Sequence, residues 1–203
     1  MTSKKFVIDT SLFVNPHARE RFCRNPSAAA RAFVKQAARL EAEFYIPPSI
    51  FNELKNFITP EVAEELELYI KKRAPNTYAI YLPAAVFYDF VEDVRIRINK
   101  GLRLAEEFAV DNRPENDEKL RKLRDKYRDA MRTGIVDSKE DFELILLAKE
   151  LEATLVSSDD GVIKFANKLG CAWINASMFY RKLASMGKNN SVRKVAKKKK
   201  AKK

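Results

Sequence analysis

Four aspartates, Asp9, Asp137, Asp141 and Asp159, stand where a parallel sheet would collect them. Asp9 closes the apolar run Phe6-Val7-Ile8, Asp137 and Asp141 open a helix-like segment, and Asp159 follows Thr154-Leu155-Val156. Ligands of open parallel sheets bind beyond the carboxyl ends of the strands, so acids far apart in the chain can converge there. Carboxylates are hard oxygen donors that suit Mg²⁺ or Mn²⁺, ions that keep some waters and bridge to phosphate oxygens. The chemistry such a set supports is in-line hydrolysis of a phosphodiester, in which one ion activates water while it, or a second ion, stabilises the departing oxygen. The expected products are a 5′-phosphate and a 3′-hydroxyl. Glu53, on the helix expected after the second strand, is a candidate further ligand, with an exposed helix position as its alternative. Asp160, beside Asp159, is set aside as a direct ligand. Thr10, Ser11 and Ser158 carry hydroxyls that can orient carboxylates or touch phosphate, and their alternative is local backbone bonding.

Each acid also has a local structural reading. Asp137-Ser138-Lys139-Glu140 matches a capping box with Asp137 as the cap, Asp159 can cap the helix that follows it, and Asp141 suits the positive end of its helix. The metal reading gains from the set taken together. Asp137 and Asp141, four apart on one helical face, would repel by roughly 0.2–0.5 kcal/mol, and a divalent cation offsets that repulsion.

Other chemistries lack their residues. Cleavage of RNA through its 2′-hydroxyl commonly uses paired acid and base groups, often imidazoles, and the chain has one histidine. That residue, His17, sits in the turn-like Asn15-Pro16-His17. Cys23 and Cys171 are isolated, without CxxC spacing, which gives no zinc site and fits a reducing compartment. Asp9-Thr10-Ser11 supplies no D-x-D pair for a phospho-aspartyl enzyme. No apolar run is long enough to span a membrane, and Met1-Thr2-Ser3-Lys4-Lys5 leads directly into a strand-like segment, so the expected address is cytoplasmic.

The formal charge of the 203-residue chain is +11, with 39 basic and 28 acidic residues. Residues 188–203 hold nine Lys and Arg and no acid, leaving 30 basic against 28 acidic residues in the rest. The basicity therefore belongs largely to an appendage, which reads as a solvated tail or as a phosphate contact.

These acids need a scaffold, and the pattern supplies one. Strands are expected at Lys5–Asp9, Phe44–Ile46, Thr154–Val156 and Cys171–Ile174, with Tyr78–Leu82 as an additional short strand or an extended connection. Helices are expected near 27–40, 49–57, 60–72, 138–151 and 160–169, an α/β alternation that points to a parallel sheet. From Ala84 to Phe108 the apolar positions Phe87, Val91, Val94, Ile98, Leu102 and Ala105 step by three and four, the spacing of one long amphipathic helix. After Asn112-Arg113-Pro114, a second helix from Glu115 to Arg132 carries Leu120, Leu123, Tyr127 and Met131 on one stripe, and the pair reads as a helical hairpin. Arg121, Arg124, Arg128 and Arg132 recur on a neighbouring face and are candidate RNA contacts, with a solvated face paired to Asp125 and Asp129 as the alternative. The expected organisation is a nuclease-like domain over 1–187, a hairpin arm inserted at about 84–133, and a basic tail over 188–203.

Phe6-Val7-Ile8-Asp9-Thr10-Ser11, Ile46-Pro47-Pro48-Ser49 with Glu53, Asp137-Ser138-Lys139-Glu140-Asp141 and Val156-Ser157-Ser158-Asp159 together resemble the PIN nuclease superfamily. Within it, Val94 to Arg103 and Lys126-Tyr127-Arg128 followed by Gly134 to Asp141 look like the small RNA-free ribonuclease P proteins known as HARP. The resemblance runs from about Phe6 to Leu183. It implies a PIN-like parallel sheet flanked by helices, with Asp9, Asp137, Asp141 and Asp159 as catalytic acids. It also implies removal of the 5′ leader of precursor tRNA with Mg²⁺ or Mn²⁺ and no catalytic RNA subunit. The family's hairpin mediates association and substrate recognition, which implies a homo-oligomer built from dimers. A toxin-type PIN ribonuclease would share the acids but usually lacks so long a basic hairpin, and a non-catalytic RNA-binding protein is the rival of another class.

Overall fold

Phe6, Val7 and Ile8 are buried in the first strand, β1 (Lys4–Ile8), as expected where helices cover both faces of a parallel sheet. The computed structural model describes residues 4–20, 23–110, 116–132 and 138–187, without the Arg132 side chain. The chain divides into two units, Met1–Ile80 with Ser138–Lys203, and Tyr81–Asp137.

The first unit is built on five parallel strands in the order β3-β2-β1-β4-β5, where β2 is Ala42–Ile46, β3 Ile70–Lys72, β4 Thr154–Ser157 and β5 Trp173–Asn175. The chain winds from β1 outward through β2 and β3, then returns to place β4 on the other side of β1. The direction of winding reverses between β1 and β4, and such a reversal opens a crevice beyond the carboxyl ends of those strands. The register, Phe6 opposite Thr154 and Ile8 opposite Val156, brings the two strand ends level. Helix α1 (Ser11–Val14) follows β1 directly, and α2 (Pro16–Arg19) and α3 (Pro26–Ala37) lead to β2. Then α4 (Pro48–Leu54) and α5 (Pro60–Glu67) precede β3. After the second unit come α8 (Lys139–Leu151), α9 (Asp160–Lys168) and a last helix, α10 (residues 176–187). The core is strongly aromatic: Phe33 meets Phe44 edge-on at 5.0 Å and Phe6 meets Phe179 at 5.1 Å between ring centroids. Such pairs contribute about 0.5–1.5 kcal/mol each beyond their buried area.

Two expectations need correction here. The helix expected over 60–72 ends at Glu67, and Ile70–Lys72 pairs with β2 as an edge strand. Its only buried residue is Ile70, and Lys71 and Lys72 are exposed, as charged edge strands often are, so it carries no alternation to read. Tyr78–Leu82 forms no strand; Tyr78 lies in a turn with its ring exposed. The segment leading into that turn is tied down by Glu150, which pairs with Arg73 and accepts from the Asn76 backbone at 2.7 Å.

The second unit is a pair of helices, α6 (Ala84–Ala109) and α7 (Asn116–Arg132). The two come close at Gly101, where a β-carbon would stand 2.6 Å from Tyr127 Cε2 and 3.1 Å from Met131 Cε. The buried residues of α6 are Val86, Gly101 and Phe108, so the helix meets its partner on a face rotated from the expected stripe. Phe87, Val91, Ile98 and Leu102 of that stripe are exposed, and on α7 so are Leu120 and Tyr127. The absence of a side chain at Gly101 permits a closer approach than a larger apolar residue would, and the apolar stripe is left exposed.

Candidate active site

Asp9 is the first residue past β1, and its N–H donates to Val156 O at 3.0 Å, which carries the β1–β4 pairing up to the acid. Its side chain is only 6% exposed. A buried carboxylate is costly unless donors surround it, and three hydroxyls do. Ser11 Oγ and Ser157 Oγ each donate to Oδ2 at 2.6 Å, and Thr10 Oγ1 donates to Oδ1 at 3.2 Å. The same hydroxyls stitch the strand ends together, because Ser157 Oγ accepts from the Asp159 N–H at 3.0 Å and Ser11 Oγ accepts from the Ser158 N–H at 2.9 Å.

Ser157 was not among the expected residues, yet it is fully buried and touches both Asp9 and Asp159. The sequence offers two adjacent hydroxyls, Ser157 and Ser158, and strand alternation separates them only once the inward face is known. Ser158, expected as a supporting hydroxyl, contributes its N–H, while its Oγ is buried with no hydrogen-bond partner among the described residues.

Asp159 is the N-cap of α9, its Oδ1 accepting from the Val162 N–H at 2.9 Å. The local reading of this residue is therefore realised, and Oδ2 takes no hydrogen bond among the described residues. Asp160 occupies the first turn of α9 and is exposed. Asp141 stands in the first turn of α8, partly buried, where its N–H donates to Ser138 Oγ at 3.0 Å. The cap of that helix is Ser138, so the expected box with Asp137 as cap and Glu140 as its partner is displaced by one residue. Asp137 itself lies outside the described residues.

Glu53 lies on α4. It is exposed on that helix, the alternative expected for it, yet partial desolvation first, and then the negative charges of Asp9 and Glu140, push its carboxyl above the ordinary range. Asp9, Glu53 and Glu140 thus share one electrostatic neighbourhood, and no ion pair joins Asp9, Glu53 or Asp159 to a cation among the described residues. A further hydrogen bond, from Ser49 Oγ to Glu143 Oε2, links α4 to α8, and Lys139 Nζ lies 3.5 Å from Glu143 Oε1. The helix carrying Glu53 is thereby held to the helix carrying Asp141.

Among the described residues no three acidic, histidine or cysteine side chains gather closely enough to enclose a metal. The donor chemistry nonetheless fits a hard divalent cation: oxygen ligands only, excess negative charge and an unpaired hydroxyl. His17 is exposed, Cys23 and Cys171 are free, and burial pushes the Cys171 thiol up, away from the reactive thiolate.

On the hairpin, Arg121, Arg124 and Arg128 are exposed, and the Arg132 side chain lies outside the described residues. Arg128 pairs with Asp125 at 3.5 Å. Arg97, Arg124 and Arg128 surround a cavity of about 620 Å³ whose apolar lining includes Tyr127 and Met131. Arg97, from the opposite helix, was not among the expected residues.

Residues 5–187 match the model of a family described as PINc domain ribonuclease. The chain is 48% identical over 198 residues to the RNA-free ribonuclease P of Thermococcus onnurineus (strain NA1), covering 93% of this chain and all of that one. It is 47% identical over 181 residues to the RNA-free ribonuclease P of Pyrococcus furiosus, covering 86% of this chain and 90% of that one. A bacterial protein of the same name, from Halorhodospira halophila, is 42% identical over 178 residues and 85% of each chain.

Proposed function

The chain belongs to the RNA-free ribonuclease P family of PINc-domain ribonucleases, and from that membership we propose that it removes the 5′ leader of precursor tRNA by hydrolysis, without a catalytic RNA subunit. The observation that carries the reading is a buried aspartate, Asp9, set at the reversal point of a parallel sheet with no cation to balance it among the described residues. The reaction leaves a 5′-phosphate on the tRNA and a 3′-hydroxyl on the leader.

Asp9, Asp137, Asp141 and Asp159 are the acids we assign to hold Mg²⁺ or Mn²⁺, with Glu53 as a further ligand. The bound cation would supply an activated water and charge neutralisation at the phosphate. Thr10, Ser11 and Ser157 orient Asp9. The Val162 N–H holds one oxygen of Asp159, leaving the other for ligation. Ser158 Oγ is a hydroxyl donor for a phosphate oxygen or a coordinated water. Arg121, Arg124, Arg128 and Arg132 meet the folded tRNA, and Arg97 joins them.

The exposed stripe Phe87, Val91, Ile98 and Leu102 supports assembly of a homo-oligomer from dimers, since an apolar helix face of this length calls for a partner. Two free cysteines fit a reducing cytoplasm. No helix among the described residues is long and apolar enough to cross a membrane.

Incubation of the purified chain with end-labelled precursor tRNA and Mg²⁺ tests the proposal. A single cut at the mature 5′ end, abolished by EDTA, is expected. Cutting that persists in EDTA, or that ignores the mature end, contradicts it.

A further inference from the structure

The end of the sheet opposite the acids carries a second concave surface. Lys4 and Lys5 at the start of β1 and Lys182 on α10 border a cavity of about 730 Å³, together with Glu43, Glu152 and Trp173. The proposed chemistry uses none of these residues. A strand rises about 3.3 Å per residue, which puts Lys4 roughly 17 Å from Asp9.

Three lysines face two acids, Glu43 and Glu152, across this cavity, and Lys71 beside Glu43 adds a fourth cation, so the balance is positive. Glu43 is already engaged, by Lys71 Nζ at 2.7 Å and the Tyr45 hydroxyl at 2.6 Å. Lys4 and Lys182 take part in no ion pair among the described residues, and Lys5 Nζ donates to Leu151 O at 3.4 Å while its charge also acts on Glu43. Beside these ammonium groups Trp173 is 39% exposed. Its indole N–H donates to Asn167 Oδ1 at 2.6 Å, which fixes the plane of the ring. Helix α10 also ends at this edge, for a β-carbon on Gly187 would stand 3.9 Å from Leu40 Cδ2, just before β2. The sequence continues from there into residues 188–203 with their nine Lys and Arg.

We propose that this edge is a binding site for single-stranded RNA, with Lys4, Lys5 and Lys182 on backbone phosphates and an unpaired base against Trp173. The proposal rests on the RNA substrate proposed above. An aromatic platform beside a basic groove is the arrangement that holds single strands without sequence preference, because every base has a face to stack. A duplex keeps those faces covered and would leave Trp173 without a role. In a precursor tRNA the shared chemistry belongs to the unpaired 5′ leader and to the unpaired 3′ end.

Trp173 is the only tryptophan, so its fluorescence reports occupancy of the full-length chain directly. In EDTA, an oligouridylate of roughly ten nucleotides, within the usual length of such sites, should quench it to saturation. Lys4→Gln with Lys182→Gln should weaken binding and make its salt dependence shallower by roughly 0.7 for each lysine removed. Trp173→Ala, followed by anisotropy of a labelled oligomer, should weaken binding by roughly fivefold or more. Competition by precursors lacking either the leader or the 3′ end identifies the segment bound.

Absence of quenching at saturating oligomer overturns the proposal. So does quenching that neither the lysine nor the tryptophan variant alters, or equal affinity for a duplex, or tighter binding of an acidic peptide than of RNA. Failure of the wild-type chain to cut precursor while quenching persists would instead remove the nuclease reading and leave this site standing.

Discussion

Ser157 donates to Asp9 and accepts from the Asp159 backbone, so its hydroxyl sets the spacing between two acids that follow the ends of neighbouring strands. Loss of a group that orients a ligand typically costs 10–100-fold in metal affinity or activity, and Ser157→Ala should raise the Mg²⁺ concentration for half-maximal cleavage by about that factor. An unchanged Mg²⁺ dependence in a folded variant would show that the hydroxyl serves packing alone. Glu53 offers a second test, through stability. Its raised carboxyl favours the neutral form in the folded chain, so stability present below the ordinary value of 4.5 is lost as pH rises through the elevated folded value. Glu53→Gln should therefore raise the melting temperature of the protein in EDTA near neutral pH, with the gain fading in acid, where wild-type Glu53 is already neutral. A gain that persists unchanged in acid would contradict this origin. Asp9 and Asp159 were legible in the sequence because each follows an apolar run, whereas Ser157 was not, since Ser157-Ser158 offers two equivalent hydroxyls until the strand face is known. Ser138 displaced Asp137 as a cap for a similar reason: Asp and Ser are close to equal at that position, and sequence alone does not separate neighbours.

At the scale of elements, the hairpin depends on the close approach at Gly101. Overpacking a filled contact costs about 1–3 kcal/mol, so Gly101→Leu, forced against Tyr127 and Met131, should speed amide hydrogen exchange along α6 and α7 and leave the strands unchanged. Equal protection in variant and wild type would mean that the contact yields without cost. The hairpin was legible from its three-four spacing, but its inner face was not, because hydrophobicity marks an apolar stripe without saying which partner covers it. A glycine gives no hydrophobic signal at all. The arginines belong to this scale too. Arg124→Glu with Arg128→Glu should weaken cleavage of folded precursor much more than cleavage of a short unstructured RNA, because structured RNA is read by shape and backbone. Equal losses on both substrates would move these residues out of substrate recognition. The strand β3 was missed because three residues with two lysines have neither the length nor the alternation that a strand shows in sequence.

Over the whole molecule, charge is sorted rather than merely positive. The carboxyl end of the sheet gathers acids around Asp9, the opposite end gathers Lys4, Lys5 and Lys182, and residues 188–203 add nine further cations. A chain ending at Gly187 should keep cleaving precursor while RNA binding loses part of its salt dependence, since fewer counterions are displaced. Loss of cleavage at low salt by a folded truncated chain would assign the tail a more specific part. All of this presupposes that Asp9 belongs to a metal-dependent hydrolytic site. The most direct measurement compares Asp9→Asn with wild type, reading precursor tRNA binding and single-turnover cleavage on the same preparations. The amide keeps the shape and loses the anionic ligand, so binding should be retained while cleavage falls further than the roughly 10–100-fold expected of an orienting residue. Cleavage within a few-fold of wild type would contradict the account.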